Sequence, residues 1–149
     1  MAAAHTYKSF RFKNQLVWQS SRRGRSSAPG KPAIDIGSPP EFKGEAGLWS
    51  PEEMLVGALN ACLMLTFVSM AQGKGLSFVA YETEADGLLE SVDGKYQFTA
   101  VAVRPTVVLK SEADLESARA VMERVEEHCF ISNSLKAKVQ LSPQFRVGS

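Results

Sequence analysis

The chain has 149 residues, 17 of them Lys or Arg and 16 Asp or Glu, for a formal charge of +1. That length fits one domain with a substantial core, and so even a balance of charge leaves nothing to draw the protein to nucleic acid or an anionic membrane. The start "MAAAHTYKSF" lacks the apolar stretch of a signal peptide, and the run Met54 to Met70 falls short of the ~20 residues that span a bilayer, so a cytoplasmic protein is expected.

The first segment alternates apolar and polar residues around Lys13 and Asn14, which predicts a hairpin of Tyr7 to Phe12 and Leu16 to Gln19. "SSRRGRSSAPGKP" breaks that pattern and reads as a loop. A short strand at Ala33 to Ile36 follows, then a longer loop through "GSPPEFKGEAGLW". A single domain is expected, with these N-terminal strands occupying 6–37.

A helix over 51–72 comes next. Ser50 suits its N-cap, Pro51 its first helical position, and Glu53 completes a capping box by reaching back to Ser50. No charge occurs from Met54 to Met70, and "GKG" at 73–75 supplies the stop. A helix apolar on all faces is a central one, covered on every side. "LSFVAYETEADGLL" and "YQFTAVAVRPTVVL" are rich in β-branched and aromatic residues and meet at an Asp-Gly turn signal, which predicts an antiparallel hairpin over 77–109. A second helix over 112–129 begins after Ser111 and carries Leu115, Ala118, Met122, Val125 and Cys129 on one face, with Arg119, Glu123, Arg124, Glu126 and Glu127 toward water. A final strand over 137–147 contains Pro143, a mark of an edge or bulge.

There are two cysteines, Cys62 and Cys129, too few for a disulfide scaffold. Each is either an inert core thiol or part of a reactive site, and each has polar neighbours that a plain core does not need: Asn60 before one, "SNS" after the other. Cys62 lies mid-helix, where the helix dipole gives a thiolate no help and burial opposes it. A cation is therefore needed, and Arg22, Arg23 and Arg25 of "RRGR" are the densest supply.

"PEEMLVGALNACLMLTF" together with "HCFISNSLK" resembles the OsmC/Ohr family of osmotically inducible and organic hydroperoxide resistance proteins, and the resemblance covers nearly the whole chain. It implies an α+β fold of antiparallel sheets around a long central helix. It also implies a thiol-dependent peroxidase that reduces organic hydroperoxides to alcohols, in which Cys62 attacks and Cys129 resolves the product as a disulfide. By motif, an arginine and a glutamate of the hydroperoxide resistance branch fall on Arg22 and Glu52. Arg23 and Arg25 are alternatives to the first, and Glu53 to the second. Phe130 stands where that branch usually carries proline. No bound cofactor is implied, only an external dithiol reductant: a lipoyl-type dithiol, thioredoxin or a small thiol.

Leu59, Leu63 and Phe67, with Phe130, offer apolar surroundings suited to a bulky organic peroxide. Ten helical residues span ~15 Å, too far for Glu52 to share a tight site with Cys62 of the same straight helix. An intertwined homodimer with its active sites at the interface is therefore expected, each Glu52 serving the other chain. A different class of function is a binding protein that keeps the fold and takes an apolar ligand, with the thiols serving only as wall. A metal site from Cys62, Cys129, His128 and His5 is disfavoured, since no ligand spacing preorganises it. Trp18 and Trp49 read as core or interface residues.

Overall fold

The computed structural model describes residues 7–148; His5 and the first residue of the expected strand region lie outside them. The chain divides into two compact units, Met1–Glu52 and Glu53–Ser149, with the boundary in the first turn of the long helix.

The first unit carries a three-stranded antiparallel sheet in the order β1 (Gln15–Ser20), β2 (Arg23–Ser27), β3 (Ile34–Gly37). Here the sequence expectation is shifted along the chain. Tyr7 to Asn14 form no strand, β1 takes the place of the second expected strand, and its partner is the segment read as a loop. The hinge is Ser21, whose left-handed φ of 45° makes a tight turn, with Trp18 Nε1 donating to the Ser21 carbonyl (2.9 Å). Arg23 to Arg25 can lie in a strand because both arginines find a carboxylate: each reaches Asp35 on β3, and Arg23 also reaches Glu45 in the loop beyond it.

The second unit begins with α1 (Pro51–Gly73). It stops where expected: Gly75 takes a φ of 68° and the Leu76 N–H closes back on the Ala71 carbonyl (2.9 Å), which only a residue without a Cβ does without strain. The β4 (Phe78–Val92) and β5 (Lys95–Leu109) hairpin follows, its turn made by Asp93 and Gly94, both at positive φ. A Cβ on Gly87 would lie 2.6 Å from Val56 Cγ2 and 2.8 Å from Phe98 Cε1, so the helix can lie on β4 here only because Gly87 has no side chain.

The second helix starts later than expected. Residues 112–114 form a 3-10 turn before α2 (Leu115–His128), and Ser111 gives its hydroxyl to the Asp114 carboxylate rather than capping the backbone. The expected C-terminal strand is two, β6 (Lys138–Leu141) and β7 (Gln144–Val147), separated at Pro143. Both pair with β5, and both are parallel to it, so the sheet is antiparallel only in its hairpin.

The core lies within this second unit. Leu59, Leu63, Phe67 and Ala71 of α1, spaced four residues apart, meet Val101, Val103, Val107 and Leu109 of β5 and Ala118, Val121, Met122 and Val125 of α2. Phe67 also stands against the rings of Phe78 and Tyr81 at 5.5 Å each. The rest of α1 is less covered than its composition predicts: Leu65 is 60% exposed, and Ala58 and Ala61 are exposed too. By length and composition alone α1 could cross a membrane, a correction to the reading of residues 54–70 as too short; its packed stripe makes it instead the core helix of this unit.

Candidate active site

Cys62 faces partly outward from the middle of α1, one position back from the buried Leu63 and therefore turned about 100° away from it. Cys129 is fully buried just beyond the end of α2. The two thiols are 67 positions apart in sequence, yet the fold packs Cys62 against the core cluster that holds Cys129, and each acts on the other's titration.

The end of α2 makes this meeting possible. The buried stripe of α2 ends at Cys129, whose extended backbone (φ −82°, ψ 112°) takes the chain out of the helix. The polar run that follows holds the resulting turn. Asn133 Nδ2 donates to the Glu127 carbonyl (3.0 Å) and Ser134 Oγ to the Phe130 carbonyl (2.7 Å). The Asn133 N–H donates to the Cys129 carbonyl (3.0 Å). "SNS" thus satisfies carbonyls left open where a helix ends. Asn60 has an equally local role: its Oδ1 accepts from Thr83 Oγ1 on β4 (2.8 Å).

The surroundings treat the two sulfurs differently. Burial pushes the Cys62 thiol up, but the backbone of Ile131 and Phe130 and the Cys129 thiol more than offset it, so Cys62 ends below the ordinary thiol value; the nearby Thr66 hydroxyl donates to the Cys62 carbonyl (2.7 Å). Burial pushes Cys129 up, Cys62 pushes it further, and the Ser132 N–H, 3.4 Å from its Sγ, only partly compensates; it rises to about 11. The pair therefore loses its first proton from Cys62, while Cys129 keeps its own. Such a pair can present one nucleophilic thiolate beside one thiol ready to close a disulfide.

Arg22, in the β1–β2 turn, donates to the Phe42 carbonyl (2.7 Å), and among the described residues no carboxylate lies within 4 Å of it. Arg23 and Arg25 are held by carboxylates. Glu52 is half-buried in the first turn of α1, and its Oε2 is buried with no hydrogen-bond partner among the described residues.

Three of the four expected pocket residues need correction. Leu59, Leu63 and Phe67 have no accessible surface and belong to the core, against which Cys62 itself packs, so other side chains fill the space a substrate would need. Phe130 differs: its side chain is 80% exposed beside the buried Cys129. Sequence reasoning passed over the Ser132 N–H as a donor to Cys129 Sγ, since every residue but proline has an N–H and no side chain marks the ones that matter. Among the described residues, no three His, Cys, Asp or Glu side chains gather as a metal site, and His128 leans on Arg124 of its own helix (3.2 Å).

The comparisons agree with this geometry. Residues 44–144 match the family model described as OsmC-like protein. The uncharacterized protein YmaD of Bacillus subtilis is 30% identical over 109 residues, covering 71% of this chain and 73% of that one. Peroxiredoxin OsmC of Escherichia coli is 25% identical over 139 residues, 90% of this chain and 96% of that protein. Among solved structures, an OsmC-like protein of unknown function from Vibrio cholerae superposes with a TM-score of 0.83 at 25% identity, over 91% of this chain and 99% of that one. An organic hydroperoxide resistance protein from Elizabethkingia anophelis shares the fold (TM-score 0.75, 12% identity, 96% of this chain and 100% of that one). With a family model spanning two-thirds of its length and a thiol pair where the resemblance expects it, the chain belongs to the family of OsmC-like proteins.

Proposed function

We propose that the protein is a thiol-dependent peroxidase for organic hydroperoxides. The observation that carries this reading is the pair of free thiols that the fold brings together, Cys62 packed against the core cluster that holds Cys129, with opposed proton affinities. The Cys62 thiolate attacks the distal oxygen of ROOH, the O–O bond breaks, and Cys62 becomes a sulfenic acid while the leaving alkoxide takes a proton to give the alcohol ROH. Cys129 then attacks the Cys62 sulfur, expelling the hydroxyl as water and forming the Cys62–Cys129 disulfide. An external dithiol, lipoyl-type or other, returns both thiols by exchange. A relative 25% identical over nine-tenths of this chain bears the name peroxiredoxin, which supports the reaction class.

Arg22 and Glu52 complete the proposed site in an intertwined homodimer. A second copy covers the apolar side of α1 that Leu65 exposes, and it offers the buried Glu52 Oε2 a guanidinium partner. In this assembly the active sites lie at the interface. Arg22 would stabilise the alkoxide as it leaves, a task the thiol pair does not perform. We place the protein in the cytoplasm, where a reducing environment keeps the pair open for turnover.

The test is direct. Reduced protein is treated with cumene hydroperoxide and weighed by mass spectrometry, with cumyl alcohol followed in parallel. Loss of two hydrogens matched by alcohol, and abolished in Cys62→Ser, is expected. Intact thiols in peroxide-treated wild type would refute the peroxidase and favour a protein that only binds apolar ligands.

A further inference from the structure

The two sulfurs differ in access as sharply as in proton affinity. Cys129 closes the buried stripe of α2 with no accessible surface at all, and the Ser132 N–H stands 3.4 Å from its Sγ. Cys62 is partly exposed. A helical side chain leans toward the turn that precedes it, so the surface over Cys62 lies beside Ala58 and Ala61, both exposed and both too small to close it. Leu65, on the following turn, is exposed as well, which leaves this side of α1 uncovered by its own unit. In the homodimer proposed above this side faces a second copy. A hydroperoxide must still reach Cys62 there, and the path that admits it also admits a thiol.

Thiol–disulfide exchange requires a thiolate to reach one sulfur while the other leaves, so access decides which sulfur of a Cys62–Cys129 disulfide a reductant attacks. Leaving-group chemistry alone points to Cys129, because attack there expels Cys62, the less basic thiolate and the faster to leave. Burial overrides it. A sulfur without accessible surface meets no reductant until the fold opens around it, whatever it would expel. Attack at Cys62 needs no opening, and the sulfur it expels already has a backbone donor, the Ser132 N–H, to receive the charge.

We infer that an external thiol reopens the disulfide at Cys62 alone, so that one partly exposed sulfur takes both the hydroperoxide and the reductant while the buried Cys129 is the leaving sulfur. The inference rests on the peroxidase reading for the disulfide itself, and it adds where reduction begins. The reductant's thiolate bonds to Cys62 Sγ as the S–S bond breaks, and the electron pair leaves on Cys129, which takes up a proton. The second thiolate of the dithiol then attacks the reductant's own sulfur in the mixed disulfide and expels Cys62 as thiolate. The dithiol ends as a disulfide, and both protein thiols are restored. Hydroperoxide and dithiol therefore exclude each other from a single approach.

The experiment uses the full-length wild type, with its disulfide made by diamide so that it does not depend on peroxidase activity. The oxidised chain is held in a redox buffer of 2-mercaptoethanol and its disulfide, a monothiol pair that leaves mixed disulfides in place. Samples in native buffer and in concentrated urea are quenched with acid, digested at low pH and mapped by mass spectrometry. In the folded chain the mercaptoethanol adduct is expected on Cys62 in about tenfold excess or more over Cys129; in urea, where both sulfurs are open, the two adducts should be comparable. Equal adducts in the folded chain, or an excess on Cys129, overturn the inference, as does a folded chain with the same ratio as the unfolded one. Peroxide consumption is scored separately. A chain that opens at Cys62 but leaves cumene hydroperoxide intact removes the peroxidase and keeps the point of attack. One that consumes peroxide and carries its adduct on Cys129 keeps the peroxidase and removes the inference. A chain in which diamide forms no Cys62–Cys129 disulfide overturns both.

Discussion

The opposed thiols predict a stability maximum in mildly alkaline solution. Unfolded, both cysteines titrate near the ordinary value of 9.0. Folded, Cys62 titrates below that and Cys129 near 11. From the folded value of Cys62 up to pH 9 the folded chain holds one proton fewer than the unfolded chain, so stability rises with pH. Between pH 9 and 11 the folded chain holds one proton more, on Cys129, and stability falls. Two pH units are worth ~2.7 kcal/mol in full, and because the two thiols titrate as a pair the part lost with Cys129 is about 1 kcal/mol. Tyr81, which burial raises to about 12, adds its own loss above pH 10. The assay is therefore a difference: urea unfolding of the reduced wild type and of Cys129→Ala at pH 8, 9, 10 and 11, in which the Tyr81 contribution cancels. Wild type should lose about 1 kcal/mol more than the variant between pH 9 and 11. Parallel curves would show that Cys129 does not hold the shared proton, and the assignment of Cys62 as the nucleophile would lose its physical basis.

Three further outcomes follow from the geometry. Cys129→Ser should still react with hydroperoxide at Cys62 but stop at sulfenic acid, trappable by dimedone and overoxidised by excess peroxide; a Cys62 that stays a thiol after peroxide treatment of this variant would contradict its role as the attacking sulfur. Phe67→Ala, deep in the core against Phe78 and Tyr81, should cost ~3–5 kcal/mol in denaturant unfolding while leaving the KM for cumene hydroperoxide within about twofold, whereas a large rise in KM in a folded variant would return Phe67 to the substrate pocket. Gly87→Ala should destabilise by about 1–3 kcal/mol through overlap with Val56 and Phe98, and adding Val56→Ala should recover part of that loss; strictly additive effects would mean that α1 does not approach β4 at this point.

Much of the architecture was legible in local pattern. Pro51 opens α1 and "GKG" closes it, the Asp-Gly pair turns the β4–β5 hairpin, and the face of Ala118, Met122, Val125 and Cys129 lies in the core. These features depend on a few neighbouring residues, whose conformational preferences act whatever the rest of the chain does. Family membership was legible for a similar reason, because the two cysteine blocks keep their own neighbours.

Other features needed the folded chain. Arg23 to Arg25 lie in a strand because Asp35 and Glu45 neutralise arginines that look like loop residues when read alone, and β6 and β7 lie parallel to β5, a pairing that alternation does not encode. Leu59, Leu63 and Phe67 share a helix with Cys62 yet are closed into the core. Above all, the sequence shows two thiols 67 positions apart, while the fold decides that they share one core and that the Ser132 N–H turns to the Cys129 sulfur. Side-chain chemistry is written in the residue names; the direction of a backbone N–H is set only when the chain has turned and found what lies opposite it.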